Sequence, residues 1–184
     1  MPAYLLLLLA VVSRLVPHAP WFNFTAVGGS LLYFGARRSW KEMAIPVVAL
    51  MATDVALTTA VYHYSFQWQN YVATWAWYGL AMVLGKLLLG RKTTFTRVAA
   101  AVVAGPTSFF LISNFAYWLT EQYYPQQLYP HTAAGLLACY TAALPFYGND
   151  IAATTIVAGL AFGLPVLLHR IFPAQPVRAF VRSK

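Results

Sequence analysis

The sequence predicts an all-α membrane protein, a bundle of six transmembrane helices plus a short helix lying on the outer surface. Three observations predict it. Of the 184 residues, 60% are hydrophobic and only 9% are charged, whereas an ordinary soluble domain is about 45–50% apolar and about 25% charged. The apolar residues gather in runs of a length suited to crossing a bilayer. The Lys and Arg residues gather in alternate connections between those runs, as membrane insertion requires. One bundle accounts for the whole length, so 1–184 reads as a single transmembrane domain.

The first run covers 2–16. It resembles a secretory signal in being apolar, but Met1 to Tyr4 carry no charged side chain and Arg14 follows the run instead of preceding it. It therefore reads as a retained first span. The second run, 22–36, is also only about 15 residues long, against about 20 for a full crossing. These two are short spans or a partly re-entrant hairpin, and either choice returns the chain to the same side. The runs 43–62, 71–90, 98–120 and 151–171 reach full length. A further stretch at 132–144, TAAGLLACYTAAL, is too short to cross unaided. It is expected to lie at the outer face, with Pro130 before it and Pro145 stopping it.

Charge sets the expected orientation. Residues 37–41 hold Arg37, Arg38 and Lys41, residues 91–97 hold Arg91, Lys92 and Arg97, and the tail holds Arg170, Arg178, Arg182 and Lys184. The connections 17–21, 63–70 and 121–150 hold no Lys or Arg. Cytoplasmic loops retain the basic residues, so both chain ends are expected in the cytoplasm, with Lys86 snorkelling to the inner interface. The formal net charge of +8 thus reads as membrane orientation and not as a nucleic-acid surface. Aromatic residues crowd the outer ends, among them Tyr62, Trp68, Trp75, Tyr78, Tyr117, Trp118 and Tyr124. Two readings stand: an interfacial belt, or a belt together with an aromatic-lined opening.

Polar groups inside spans are costly and usually face the bundle interior. Asp54 lies in the third run with Thr58 four residues on, so the two share a face. Asn114 lies in the fifth run on a stripe with Phe110, Tyr117, Trp118 and Glu121. Arg14 sits at the outer end of the first run and leans back toward the helix start, within reach of Asp54. The bland reading is an ion pair that only fastens helices. The sharper reading is a ligand-binding set of Arg14, Asn23, Asp54, Thr58, Trp75, Tyr78, Asn114 and Trp118. No nucleophile–His–acid set, zinc motif or phosphate loop occurs, so no enzyme, cofactor or metal is expected. The outer histidines His18, His63 and His131 have no spacing that demands a metal, and Cys139 reads as a buried structural thiol. Ala81/Gly85 and Ala101/Gly105 allow close helix contact.

The segments RLVPHAPWFNFTAVGG, MATDVAL, SNFAYWL and YPHTAAGLLACYTAALPFYGN resemble an uncharacterised family of bacterial integral membrane proteins, over nearly the whole chain. Ala26 stands where that family tends to have proline. The family is in turn distantly similar in architecture to the substrate-binding S-components of energy-coupling-factor vitamin transporters. That resemblance implies six helices in the bacterial cytoplasmic membrane and a pocket near the outer face for a small vitamin-like or cofactor-precursor molecule. It also implies an energising transport module as partner, although the Ala-x-x-x-Ala docking seam is absent from the first run. In its solitary cobalamin-importing variants it would make Cys139 and His131 the residues that meet cobalt. The expected function is therefore substrate binding and uptake, and the alternative is a non-catalytic structural or accessory subunit.

Overall fold

A computed structural model describes residues 1–16, 21–121 and 127–172. Six α-helices run in order: α1 Pro2–Leu15, α2 Val27–Arg37, α3 Ala44–Ala56, α4 Val72–Leu89, α5 Phe95–Glu121 and α6 Ala133–Ile171. No strand occurs among the described residues. A 3₁₀ turn, Trp40–Met43, leads into α3, and a π-helical turn, Leu57–Val61, continues it. Another 3₁₀ turn, Trp68–Tyr71, leads into α4. Four of these helical stretches, Trp40–Val61, Trp68–Leu89, Phe95–Glu121 and Ala133–Ile171, are long and apolar enough to cross a membrane. Leu5, Leu87, Leu137 and Leu160 are each more than half exposed, so the apolar residues stand on the surface as well as in the core. Such a surface is costly in water and unremarkable in a bilayer.

The basic residues collect at one end. There Arg38 pairs with Glu42, Tyr4 Oη donates to Glu42 Oε2 at 2.6 Å, and Lys86 Nζ donates to the Arg38 carbonyl at 2.5 Å. Ser39 and Glu42 close a capping box at the start of the following turn, satisfying helix-end N–H groups that would otherwise be bare. Arg37 lies over the Phe162 ring at 5.4 Å and donates to Thr93 Oγ1 at 3.1 Å. These residues are therefore used for packing as well as being charge markers. The opposite, aromatic end carries Tyr62, Tyr64 and Trp68, all exposed.

α1 and α2 form a hairpin that rises from the basic end and returns to it. At 14 and 11 residues they are about 21 and 16 Å long, short of the ~30 Å hydrocarbon core. The second apolar run was expected to be helical from 22, but the helix begins only at Val27. Before it, Asn23 adopts φ 63°, a left-handed conformation that asparagine tolerates better than most residues. Ala26 N–H donates to Ser13 Oγ at 3.0 Å, and Asn149 Nδ2 donates to the Phe22 carbonyl at 2.9 Å. Backbone groups at the turn are thus satisfied by side chains, as backbone outside a helix needs wherever water is excluded. α2 is the hub of the bundle: every residue in it except Tyr33 and Arg37 is buried.

The short outer-surface helix expected at 132–144 is not a separate element. Pro145 does not stop it, and α6 runs unbroken for 39 residues with Pro145 and Pro165 inside it. Proline removes one intrahelical hydrogen bond, and packing on α5 compensates. On one side of Pro145, Tyr140 Oη donates to the Leu111 carbonyl at 2.8 Å; on the other, Tyr147 Oη meets Thr107 Oγ1 at 2.8 Å. Phe110 packs on both tyrosine rings, at 5.2 and 4.8 Å. At about 58 Å, α6 outreaches any hydrocarbon core, so 132–144 extends the last helix along α5.

Candidate functional site

The ion pair expected between Arg14 and Asp54 forms, and it is part of a larger network. Arg14 Nη2 pairs with Asp54 Oδ1, and Arg14 Nη1 donates to Tyr78 Oη at 2.8 Å. Asp54 Oδ2 accepts from Trp75 Nε1 at 2.9 Å and from Tyr78 Oη at 3.1 Å. The Asp54 side chain is 1% exposed, so its charge is held by one guanidinium and two neutral donors with almost no water. Thr58 Oγ1 donates to the Asp54 carbonyl at 2.8 Å and meets Tyr71 Oη at 2.5 Å. Tyr71, Trp75 and Phe66 stack beside it toward the aromatic end.

Of three hollows in the bundle, the innermost is walled by Arg14 and Tyr78 of this network. The largest, about 1020 Å³, is a groove between the aromatic-end halves of α4 and α5, lined by Gln69, Thr74, Ser113, Asn114 and Glu121 among others. A second, about 120 Å³, is lined by Asn23, Phe109, Phe110, Ser113, Asn114, Tyr147 and Asp150. The third, about 100 Å³, is lined by Arg14, Asn23, Thr74, Trp77, Tyr78, Phe109 and Asp150. Ser113 and Asn114 border both the groove and the second hollow, Thr74 borders the groove and the third, and Asn23, Phe109 and Asp150 border both inner hollows. The three hollows are therefore neighbours that share walls, with the groove at the surface and Arg14 and Asp150 on the innermost.

The eight residues singled out in the sequence divide accordingly. Arg14, Asn23, Tyr78 and Asn114 line the hollows. Asp54, Thr58 and Trp75 stand behind Arg14 and orient it. Asn114 returns its Nδ2 to the Phe110 carbonyl of its own helix at 2.7 Å. Trp118 lies apart: its Nε1 donates to the Pro130 carbonyl at 3.1 Å and its ring stacks on His131 at 4.5 Å. The expected stripe on α5 thus splits, because Phe110 turns to α6, Trp118 to residues 130–131, and Asn114, Tyr117 and Glu121 to the groove.

Asp150 is the residue that sequence reasoning missed. It stood at the edge of an outer loop because the apolar run was counted from Ile151. Yet Asp150 and Thr154 repeat the four-residue spacing of Asp54 and Thr58, and that spacing was the signal available. Asp150 is 6% exposed in mid-α6, and Thr154 Oγ1 donates to its Oδ1 at 3.2 Å. Cys139 Sγ faces the Asn114 carbonyl at 3.6 Å. Among the described residues no three His, Cys, Asp or Glu side chains converge on a point where a metal could sit. His18, Tyr124, Arg178, Arg182 and Lys184 lie outside the described residues.

Residues 1–175 match a family of unknown function, DUF6580. The chain belongs to that family. Nearly all the DUF6580 chain falls within the match, including every residue that lines the three hollows. No curated protein and no solved structure matches the chain, so the site of this DUF6580 protein is read from its own geometry.

Proposed function

We propose that this protein binds a small molecule within the membrane, admits it from the aromatic end, and serves in its uptake. One observation carries the reading: the series of hollows with shared walls between the groove at α4 and α5 and the half-buried Arg14 and buried Asp150. Binding sites are concave, mostly apolar and furnished with a few convergent polar groups, and ionisable groups inside a membrane are functional by default. On this reading the protein works as an S-component does, with a vitamin-like or cofactor-precursor molecule as ligand; the distant sequence resemblance alone supports that part. A partner energising module would dock on a surface other than an Ala-x-x-x-Ala seam in α1. The alternative, a structural or accessory subunit, draws support from the saturated Asp54 network, in which Arg14 and Asp54 fasten α1 to α3 and α4.

In this reading the protein lies in the bacterial cytoplasmic membrane with six membrane-inserted helices, α1 and α2 entering as a hairpin from the cytoplasmic side, and both ends cytoplasmic. The basic end faces inward. In a Cys139→Ala background, Ser65→Cys, in the exposed connection before α4, should react with an impermeant maleimide on intact cells, and Lys92→Cys only after lysis. Labelling of Lys92→Cys alone would reverse the orientation.

The binding reading is tested by filling the hollows. Ser113 borders both the groove and the second hollow. Mass spectrometry of small molecules extracted from the purified protein should find a solute with the wild type that is missing from Ser113→Trp, while the thermal transitions of the two agree within a few degrees. Identical extracts from both would count against a binding site and leave the accessory role.

A further inference from the structure

Three carboxylates are buried among the described residues, Asp54, Glu121 and Asp150, and their surroundings differ. Asp54 has a guanidinium and two neutral donors. Glu121 accepts the backbone N–H groups of Leu128 and, at 3.1 Å, Tyr129. Asp150 has only the Thr154 hydroxyl, on Oδ1. No cation and no N–H donor reaches it from the described residues, although it borders both inner hollows. Arg14 borders the third hollow too, but its charge is matched by Asp54. Among the described residues the inner site therefore holds one carboxylate with no cation paired to it.

Aromatic rings form a large part of the remaining walls, beside neutral polar groups such as Asn23, Thr74, Ser113 and Asn114. Phe109 and Trp77, with ring centroids 4.6 Å apart, line the third hollow with Asp150, and Phe110 and Tyr147, 4.8 Å apart, line the second. Aromatic faces attract cations and are the recurring means of recognising organic ammonium groups. A hard metal cation asks for about six oxygen ligands, carboxylates foremost, and Asp150 is the one carboxylate among the residues that line either hollow. A free carboxylate among aromatic rings suits a positive charge spread over carbon.

We propose that Asp150 and the surrounding rings of Trp77, Phe109, Phe110 and Tyr147 form a site for an organic ammonium group, and that the ligand of this protein is a cationic amine. The inference rests on the binding reading above and adds the sign of the ligand's charge. The inner hollows, each near 100 Å³, admit a head group of a few heavy atoms, and the groove takes whatever that head group carries.

The test uses the purified full chain, tetramethylammonium as probe, and tert-butanol, trimethylacetate and sodium chloride as neutral, anionic and metal-cation comparisons. Saturable thermal stabilisation and tryptophan fluorescence both report binding. Tetramethylammonium should bind with clear preference. Asp150→Asn, which keeps the size of the side chain and an acceptor for Thr154, should lower its affinity at least about tenfold, and Phe109→Leu should lower it several-fold. The second variant keeps the proposal open to failure where the first does not fold. Equal binding of tert-butanol or trimethylacetate, displacement by sodium at equal concentration, or unchanged affinity in both variants would overturn the cation site while leaving a binding pocket. Failure of every probe, together with identical extracts from wild type and Ser113→Trp, would remove the pocket as well.

Discussion

Asp54→Asn should lower stability by about 3–5 kcal/mol, and adding Arg14→Gln should restore most of it. The single change leaves the Arg14 guanidinium, whose side chain is 19% exposed, facing an amide that brings its own N–H groups. Removing one partner of a buried pair costs about that much because the other charge stays desolvated. The double change removes both charges and keeps a carbonyl at position 54 for Trp75 and Tyr78, which donate to Asp54 at 2.9 and 3.1 Å. Leucine at both positions is the informative contrast. It also removes both charges but strands two donors, the buried Tyr78 and the partly buried Trp75, each worth about 1–3 kcal/mol, so recovery should be poor. Thermal unfolding in detergent measures all four proteins. Equal stability of the Asp54→Asn single and the Asn/Gln double variant would mean that charge is not what the network balances.

The second large effect lies at the α2–α4 contact. A Cβ added at Gly85 would stand 2.1 Å from the Leu32 carbonyl oxygen, and one at Gly35 2.0 Å from that of Met82. Both obstacles are backbone, so the helices themselves must move apart. Gly85→Val should therefore destabilise by at least about 1–3 kcal/mol, because α2 is buried on nearly every side and has no free direction in which to yield. Gly79, six residues earlier in α4, has nothing within 4 Å of an added Cβ. Gly79→Ala should be neutral or stabilising by up to about 1 kcal/mol, since alanine favours the helix. Comparable losses from the two changes would show that the contact is looser than its geometry.

Several features were legible in the sequence because they rest on local quantities. Hydrophobic run length is counted in residues, so α3 with its π-helical continuation, α4, α5 and the later part of α6 fell close to their expected bounds. The Arg14–Asp54 pair was legible because each residue is charged within an apolar run, and such a charge needs a partner. The close approach at Gly85 was legible from its spacing with Ala81, although its partner, α2, was not. Asp150 was overlooked for the same local reason: run counting assigned it to a loop, and only α5 packed along α6 carries the helix past Pro145 and encloses it.

By itself, the sequence determined that the chain is helical, that its helices are apolar enough for a bilayer, that its charges segregate, and that Arg14 and Asp54 belong together. Composition, periodicity and the cost of a lone charge in low dielectric require these, whatever the arrangement of helices. Tertiary structure alone decided which helix is the hub, where α2 begins, whether Pro145 ends a helix, and which polar residues share a cavity. Those outcomes depend on contacts between residues distant in the chain: Tyr140 and Tyr147 against α5, Gly35 against Met82, Asn149 against Phe22. The energy of such contacts is set by close packing in three dimensions, and no local pattern of residues encodes it.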